Sequence, residues 1–400
     1  MSIEAKPTDS PFANPRQAGF AAFARAVAPR KRVGVSQWSD DNMVLSSKAS
    51  SKPGKWQTSR NPPLREPMDA MSARSTVRDV VLMFPIQYGK TSVAINAVGY
   101  CMDHDPGPVM VCLPGEVSMN KWIAQKLQPA IDETPAMKRA LTSVASRDSA
   151  NQRTFKDFAG GQLYLEHAGS PARLKSTTVR TLIVDEVDEF ASNLHSGDDP
   201  LEMLEGRTSA YPNTYKRLYI STPQIKGISR IEALWDKSDR RRYHVPCPHC
   251  GHMQHLQWAG LHWNKADYKT GAAPMHAWYV CEDCGAEIEE HHKTAMIAAG
   301  EWRATNPDSR TRGYHINCLY YQFGLGPRWA DLAERWLEVQ NDPSSTTAWP
   351  SHGKTAPCAP CATTPLPTVP SPTPCAPPHP AAWWPPQAWI RKTTAWPCTS

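Results

Sequence analysis

Short apolar runs alternate with stretches of helical periodicity along the middle of the chain. The runs predict strands at 77–84, 108–113, 162–166, 181–184 and 217–220, and the 3.6-residue periodicity predicts helices at 89–102, 118–130 and 135–141. Strands that alternate with helices are typical of a parallel sheet with flanking helices. The pattern therefore predicts an α/β core over residues 71–240.

The residues before this core show little periodicity. Residues 1–70 contain eight prolines and one short helical pattern, from Phe20 to Val27. Proline interrupts both helices and sheet interiors. We therefore predict an irregular N-terminal lead-in over residues 1–70.

The composition changes sharply after Ser344. Residues 345–400 contain no Asp or Glu, but 14 of the 38 prolines, 5 of the 15 tryptophans and 4 of the 11 cysteines. Dense proline excludes an ordinary globular domain, whereas tryptophan and cysteine are rare in disordered linkers. Two interpretations are open: a disordered low-complexity tail translated in a shifted reading frame, or a natural proline-rich segment that binds partners as polyproline II.

Net charge and hydropathy exclude only a few classes of function. The formal net charge of +6 is too small to indicate a nucleic-acid partner by itself. No window approaches the roughly 18 consecutive apolar residues of a membrane-spanning helix, and residues 1–10 are too polar for a signal peptide. The sequence predicts a soluble protein of the cytoplasm with no membrane partner.

A phosphate loop is predicted over residues 84–91, between the first strand and the first helix. These residues occupy the G-x-x-x-x-G-K-[ST] frame, with Phe84 in place of the first glycine. In such a loop, backbone N–H groups face the phosphates, while Lys90 adds a positive charge and Thr91 a hydroxyl for Mg²⁺. An ordinary helix start with a solvated lysine is the alternative. The predicted nucleotide-binding residues are Gln87, Tyr88, Gly89, Lys90, Thr91 and Ser92.

Two further strands end in polar residues that fit nucleotide chemistry. The run 181–184 leads into Asp185 and Glu186, so that Asp185 lies where open α/β sheets bind ligands. Asp185 can hold Mg²⁺ and Glu186 can deprotonate an attacking water, although acidic residues in the first turn of a helix are the alternative. The run 217–220 leads into Ser221 and Thr222, which could sense the γ-phosphate and couple hydrolysis to movement. Together, the three segments predict a P-loop NTPase core.

Four cysteines form two C-x-x-C-G units, separated by 30 residues. A glycine after the second cysteine suits a tight turn that directs both sulfurs towards one ion. In a reducing cytoplasm, four thiolates predict a structural Zn²⁺ site rather than disulfides, within residues 241–344, which we assign to a zinc module and the end of the motor domain. The predicted ligands are Cys247, Cys250, Cys281 and Cys284, and the alternative ligands are His249, His252 and His255.

Basic and aromatic residues lie beside these cysteines: Arg240, Arg241, Arg242, His244, Trp258, His262, Trp263 and Lys265. Such an interleaved set could grip a DNA backbone. The alternative is a solvated basic strand beside a small core in which the tryptophans pack. Cys101, Cys112 and Cys318 lie in apolar surroundings, which predicts buried thiols.

The order of these motifs resembles the large terminase subunit of tailed bacteriophages, of the lambda-type family, over about residues 35–344. The matching segments are 37–40, 65–70, 87–91, 184–189, 221–223, 246–251 and 313–317. The resemblance implies an ATP-driven motor that packages double-stranded viral DNA into a procapsid with a small terminase subunit and a portal ring. We also expect a homo-oligomer, with ATP, Mg²⁺ and Zn²⁺ as the bound groups.

The resemblance also implies roles for individual residues. It makes Lys90 the phosphate-binding lysine, Thr91 and Asp185 the Mg²⁺ ligands, Glu186 the catalytic carboxylate, and Ser221 and Thr222 the coupling residues. Arg207 is a further candidate for contact with the γ-phosphate, with a salt bridge as the alternative.

The family has a C-terminal nuclease domain that resembles an RNase H fold, and this sequence departs from the family there. Cleavage by two metal ions needs carboxylates, and residues 345–400 contain none, so we expect this chain not to cut DNA. Two other functions compete with the motor. A helicase-like DNA remodeller would need a second motor domain, and a zinc-containing DNA-binding protein with an inactive nucleotide site would explain Phe84.

Overall fold

The computed structural model describes residues 20, 32–141, 152–169, 174–175, 177–194, 197–264 and 276–341, without the side chains of 338–341. The chain divides into two units, Met1–Ala362 and Thr363–Ser400, and the second unit lies outside the described residues. The predicted tail at 345–400, most of the predicted helix at 20–27, and Lys265 also lie outside them.

The regular elements of the described residues follow in chain order. The strands are β1 (Val44–Leu45), β2 (Gly54–Lys55), β3 (Asp79–Met83), β4 (Val109–Leu113), β5 (Phe155–Phe158), β6 (Gly161–His167), β7 (Thr181–Asp185), β8 (Lys216–Ser221), β9 (Arg241–Pro246), β10 (Met253–Gln254), β11 (Leu261–Trp263), β12 (Ala277–Val280), β13 (Glu287–Glu289), β14 (Glu301–Arg303) and β15 (Arg312–His315). The helices are α1 (Val35–Asn42), α2 (Arg65–Ala70), α3 (Lys90–Asp103), α4 (Glu116–Trp122), α5 (Gln128–Glu133), α6 (Pro135–Ala140), α7 (Pro200–Glu205), α8 (Arg230–Asp236), α9 (Lys293–Ala298) and α10 (Trp329–Asn341).

Within the described residues, ten strands form one mixed sheet in the order β10-β9-β15-β3-β8-β7-β4-β6-β5, with β14 also paired to β9. The pairs from β9 through β15, β3, β8, β7 and β4 to β6 are parallel, and the outer pairs are antiparallel. The prediction of an α/β fold with a mostly parallel sheet is therefore confirmed. A separate antiparallel sheet joins β11, β12 and β13.

The central strands are apolar because both faces of the sheet are covered. Successive residues of β3 alternate between two buried clusters: Val80 and Leu82 belong to one, and Val81 and Met83 to the other. Helix α3 packs its apolar residues into the first cluster, and α8 contributes to the second. A parallel sheet that is buried on both faces needs such continuous apolar runs, which is the pattern that predicted these strands.

The expectation of an irregular lead-in is wrong for residues 32–70. Val35 and Trp38 on α1 and Met68 on α2 are at most 2% exposed and belong to the core cluster beside α3. The prolines do not interrupt this structure, since Pro62 and Pro63 form a 3₁₀ turn and Pro67 lies in the first turn of α2. Helices of six to eight residues are too short to show a clear period in the sequence. Within the described residues, the helices are too short or too polar to cross a membrane.

Candidate functional site

Three strand ends meet at one edge of the sheet and bring the predicted site residues together. Strand β3 pairs in parallel with β8, and β8 pairs in parallel with β7, so their carboxyl ends lie side by side. In this register Met83 is opposite Ser221, and Asp185 is opposite Ile220. The phosphate loop leaves β3 at this edge. Residues separated by about 130 positions in the chain therefore become neighbours through the topology of the sheet.

Lys90 is buried at the start of α3 and is held by the loop that precedes it. Its Nζ donates hydrogen bonds to the carbonyl oxygens of Phe84 (3.2 Å) and Pro85 (3.3 Å) and to the hydroxyl of Thr222. Burial lowers the pKa of Lys90, and the carboxylates of Glu186 and Asp185 act in the opposite direction. The alternative of a solvated lysine is therefore wrong, because Lys90 is only 6% exposed.

The backbone of the phosphate loop requires unusual conformations. Gln87 (φ 57°) and Gly89 (φ 97°) both lie in the left-handed region, which turns backbone N–H groups towards a common concavity. A Cβ at Gly89 would lie 2.9 Å from Leu64 Cδ1, so a larger residue would also collide there. Two side chains that the sequence did not reveal tether the loop. Asn61 Nδ2 donates to the Tyr88 carbonyl (3.0 Å), and the Tyr321 hydroxyl donates to the Ile86 carbonyl.

The packing of Phe84 explains why this residue occupies the position of the first glycine of the motif. Its side chain is fully buried and stacks on Trp302, with 6.2 Å between the ring centroids and 4° between the planes. Its N–H donates to the Ser221 carbonyl (3.3 Å), which extends the pairing of β3 with β8 by one residue. Among the described residues, Phe84 does not line the cavity beside the loop. The aromatic ring therefore leaves the concavity open.

Asp185 and Glu186 occupy different environments although they are adjacent. Asp185 is 2% exposed, and each of its oxygens accepts one hydrogen bond: Oδ1 from the Glu186 N–H (3.1 Å) and Oδ2 from the indole N–H of Trp122 (3.1 Å). Burial, reinforced by the Glu186 carboxylate, raises the pKa of Asp185 to about 7, while Lys90 acts to lower it. Glu186 is partly exposed and has a left-handed backbone (φ 57°) before a 3₁₀ turn, Val187–Glu189. The alternative of an α-helix starting at Glu186 is therefore wrong.

Ser221 connects the ends of β7 and β8. Its hydroxyl accepts from the Asp188 N–H (3.2 Å), and its one proton is shared between the Thr222 carbonyl (3.3 Å) and Glu186 Oε2 (3.5 Å). The Asp188 carboxylate accepts the N–H groups of Gln224 (3.0 Å) and Ile231 (2.8 Å). Ser221, Glu186 and the loop that leads to α8 are thus joined by one hydrogen-bonded network.

A cavity of about 840 Å³ lies beside the phosphate loop, and we call it the loop cavity. Its lining includes all six predicted nucleotide-binding residues, together with Glu186 and Thr222, and parts of the segments 43–61 and 321–326. Arg207 is not among the described residues that line the loop cavity. Its guanidinium donates instead to the carbonyl oxygens of Met203 (Nε, 3.2 Å) and Lys175 (Nη1). The structure therefore does not bring Arg207 to the other predicted site residues.

The four predicted cysteine ligands converge, and we call them the cysteine site. Their sulfur atoms all lie within 4.8 Å of one another, with 3.9 Å between Cys247 and Cys284 and 3.8 Å between Cys250 and Cys281. Four sulfurs at about 2.3 Å from a tetrahedral zinc ion are about 3.8 Å apart, so this donor set fits zinc. The glycines that follow, at 251 and 285, have φ of 76° and 68°, as the tight turns require.

The three alternative histidine ligands have other partners. His249 Nε2 lies 3.1 Å from the Glu287 carbonyl, and His252 Nε2 lies 3.2 Å from a Glu282 carboxylate oxygen. The His255 ring packs on His244 at a centroid distance of 5.6 Å. The converging set in the described residues consists of the four cysteines alone.

The basic and aromatic residues beside the cysteine site are largely engaged in packing. Arg241 pairs with Asp239 (2.7 Å) and Glu66 (2.9 Å), and the Arg242 guanidinium lies 5.2 Å from the centre of the Trp235 ring. Trp258 packs between Trp263 and Trp336. These contacts favour the packing alternative over a DNA-binding surface. The prediction of buried thiols at Cys101, Cys112 and Cys318 is confirmed.

Comparison with known proteins agrees with the motif order. Residues 50–302 match the family described as "Phage terminase large subunit gpA, ATPase domain". The terminase large subunit of Enterobacteria phage P21 is 24% identical over 337 residues, which are 77% of this chain and 50% of that protein. The terminase large subunit of Escherichia phage lambda is 23% identical over 335 residues, which are 76% of this chain and 50% of that protein. The chain thus spans about half the length of the curated relatives it matches.

Solved structures with detectable similarity include the large terminase ATPase domain of Thermus phage P74-26, with a TM-score of 0.36, 11% identity, and coverage of 67% of this chain and 84% of that chain. The Phi-28 gp11 DNA packaging motor gives a TM-score of 0.32 and 12% identity, over 74% of this chain and 68% of that chain. Since the family match covers more than half of its residues, the chain belongs to the phage terminase large subunit family, gpA type, through its ATPase domain.

Proposed function

We propose that this chain hydrolyses ATP to move double-stranded DNA, as the motor subunit of a phage DNA-packaging complex. The observation that carries the proposal is the convergence of Lys90, Asp185, Glu186 and Thr222 at one sheet edge, beside a cavity whose lining includes the phosphate loop, Glu186 and Thr222. Open parallel sheets bind ligands at this edge. Membership of the terminase ATPase family supports the same assignment.

The residues of the site divide the chemistry between them. The N–H groups of the phosphate loop and the Lys90 ammonium group bind the phosphates. The Thr91 hydroxyl and the Asp185 carboxylate supply oxygen ligands of the kind that Mg²⁺ prefers, and the ion, when bound, neutralises charge on the β- and γ-phosphates. Glu186 faces the loop cavity, where its carboxylate can orient a water and accept its proton.

The contacts of Ser221 and Thr222 support their assignment as coupling residues. Thr222 accepts a hydrogen bond from Lys90, and this bond must lengthen or break when the ammonium group moves to a γ-phosphate. Ser221 links the catalytic Glu186 to Asp188, and Asp188 holds the loop before α8. We therefore propose that a change at the phosphate reaches α8 through β8.

Steady-state ATP hydrolysis, with and without linear double-stranded DNA, tests the proposal. Lys90→Ala should reduce hydrolysis by at least about 10²-fold, because preorganised charge contributes that much to phosphoryl transfer. Lys138→Ala, which removes an exposed lysine on α6, is the matched control and should leave the rate unchanged. A wild-type chain without hydrolysis, or a Lys90→Ala variant with the wild-type rate, would refute the motor and favour the binding protein with an inactive site.

We also propose that Cys247, Cys250, Cys281 and Cys284 bind one structural zinc ion. The sulfur distances near 3.8 Å and the two left-handed glycine turns support this assignment. Metal analysis of the purified chain should give one zinc per chain. Cys281→Ser should lower the zinc content severalfold, whereas Cys112→Ser, at a buried thiol outside the cysteine site, should not. Equal zinc content in the two variants would contradict the assignment.

The remaining assignments are proposals of the same kind. We propose a motor core over 71–240 and a zinc module with the end of the motor domain over 241–344. The partners would be DNA, a small terminase subunit, a portal ring and further copies of the chain, in the cytoplasm of the host. The acid-free composition of 345–400 supports the proposal that this segment holds no two-metal nuclease site.

A further inference from the structure

A buried tryptophan contacts the proposed magnesium ligand. Trp122 is the last residue of α4 and is 7% exposed. Its indole N–H donates to Asp185 Oδ2 at 3.1 Å, while Asp185 Oδ1 accepts the Glu186 N–H, also at 3.1 Å. Each carboxylate oxygen therefore has one N–H donor and keeps lone-pair capacity for another partner.

The backbone around Trp122 is unusual as well. The turn that follows it, Ile123–Leu127, is a π-helix, a rare form that occurs mostly as single turns inside α-helices and often at functional sites. Lys126 in this turn lines the loop cavity, as does Ala130 in α5. One short segment thus contacts Asp185 and also forms part of the cavity wall.

We propose that Trp122 is a positioning residue for the metal-bound nucleotide, an inference that rests on the ATPase function proposed above. Its N–H holds the Asp185 carboxylate in one rotation, which leaves the remaining lone pairs of both oxygens available to a metal ion. An indole is a donor only and does not compete for a cation. Hydrogen-bond partners of metal ligands commonly act in this way, by holding the ligand in one orientation.

The competing explanation is that Trp122 only fills space in the core, and the chain offers a matched control for it. Trp235 on α8 has the same exposure of 7%. Its indole N–H has no hydrogen-bond partner among the described residues. Trp→Phe at either position removes a similar volume and one N–H group. Only the change at position 122 takes a donor from Asp185.

Calorimetric titration of the full chain with ADP, with and without Mg²⁺, measures the effect without relying on turnover. In the wild-type chain and in Trp235→Phe, Mg²⁺ should tighten ADP binding by the same factor. In Trp122→Phe that factor should fall about tenfold, as is typical when a partner of a metal ligand is removed. Its affinity for ADP without Mg²⁺ should stay within twofold of Trp235→Phe. The Mg²⁺ concentration that half-saturates ATP hydrolysis should rise by a similar tenfold factor.

Three results would overturn the inference. The first is an equal Mg²⁺ effect in the two Phe variants. The second is a Trp122→Phe chain that is unfolded, or that binds ADP weakly even without Mg²⁺, since Trp122 would then act through packing. The third is a further loss of the Mg²⁺ effect when Trp122→Phe is added to Asp185→Asn, because the two changes should not add if they act on one carboxylate. A wild-type chain that binds no ADP would instead refute the proposed ATPase function, and this inference with it.

Discussion

The loop cavity and the cysteine site are assembled in opposite ways. Lys90, Asp185 and Thr222 come from distant parts of the chain and meet because parallel strands end at one edge. The cysteine site consists of two local turns, each completed within five residues. The first arrangement depends on the whole sheet, whereas the second needs only two turns and, on our proposal, an ion that joins them.

Burial separates the two sites as well. Lys90 and Asp185 are 6% and 2% exposed, and apolar strands of the core surround them. In the cysteine site, Cys247 and Cys281 are buried at the margin of the core cluster, but Cys250 and Cys284 are exposed, and the sheet beside them has short strands. Apolar burial therefore stabilises the loop cavity, and we expect metal binding to stabilise the cysteine site.

Removal of zinc should give the largest effect and separate the two regions. A zinc-selective chelator should remove a stabilisation on the order of 10 kcal/mol from the zinc module, because binding to a structural site of this kind is folding free energy. Hydrogen exchange should then become fast around Cys247–Cys284, while strands β3, β4 and β7 keep their protection. Equal loss of protection in both regions would show that they fold as one unit.

Glu186→Gln should test the loop cavity with the next largest effect. Loss of the general base should lower kcat for ATP hydrolysis by about 10²–10⁴-fold, while ADP affinity is retained. Glu189→Gln is the control, since Glu189 also lines the cavity but lies in the 3₁₀ turn after Glu186, and among the described residues the Ser221 hydroxyl approaches Glu186 rather than Glu189. Similar losses of kcat in both variants would show that Glu186 does not act as the general base.

The contrast between local turns and contacts formed over long distances in the chain also determines which site residues could be predicted from the sequence. The convergence of the four cysteines could be predicted because the C-x-x-C-G turn is a local pattern, and the positions of Lys90, Asp185 and Ser221 because each comes after an apolar run. Asn61, Trp122 and Tyr321 were not readable, since a single polar or aromatic side chain carries no local signal of the partner that tertiary packing gives it. The helices α1 and α2 were not predicted, because six to eight residues are too few to show a clear helical periodicity. Arg207 was a candidate because of its place in the chain, but its guanidinium turns to backbone carbonyl groups.

Substitution of Phe84 tests whether the residue that replaces the first glycine of the motif is needed for packing. Phe84→Ala should lower the free energy of unfolding by about 3–5 kcal/mol, because a fully buried ring that stacks on Trp302 is replaced by a cavity. Phe323→Ala is the control at a ring that is 45% exposed, and it should cost far less. Urea unfolding measures both. A Phe84→Ala chain as stable as the control would mean that the ring is not needed for packing.

The smallest predicted effect concerns the segment that touches both regions. Tyr321 donates to the Ile86 carbonyl of the phosphate loop, and the neighbouring Tyr320 hydroxyl accepts the Leu256 N–H near the cysteine site. Tyr321→Phe removes one hydrogen bond, worth about 0.5–1.5 kcal/mol, which corresponds to an increase of about two- to tenfold in KM for ATP with kcat nearly unchanged. Tyr314→Phe, which loses a bond to Glu66 instead, should leave KM unchanged. If the two variants have the same KM, the phosphate loop keeps its shape without the hydrogen bond from Tyr321.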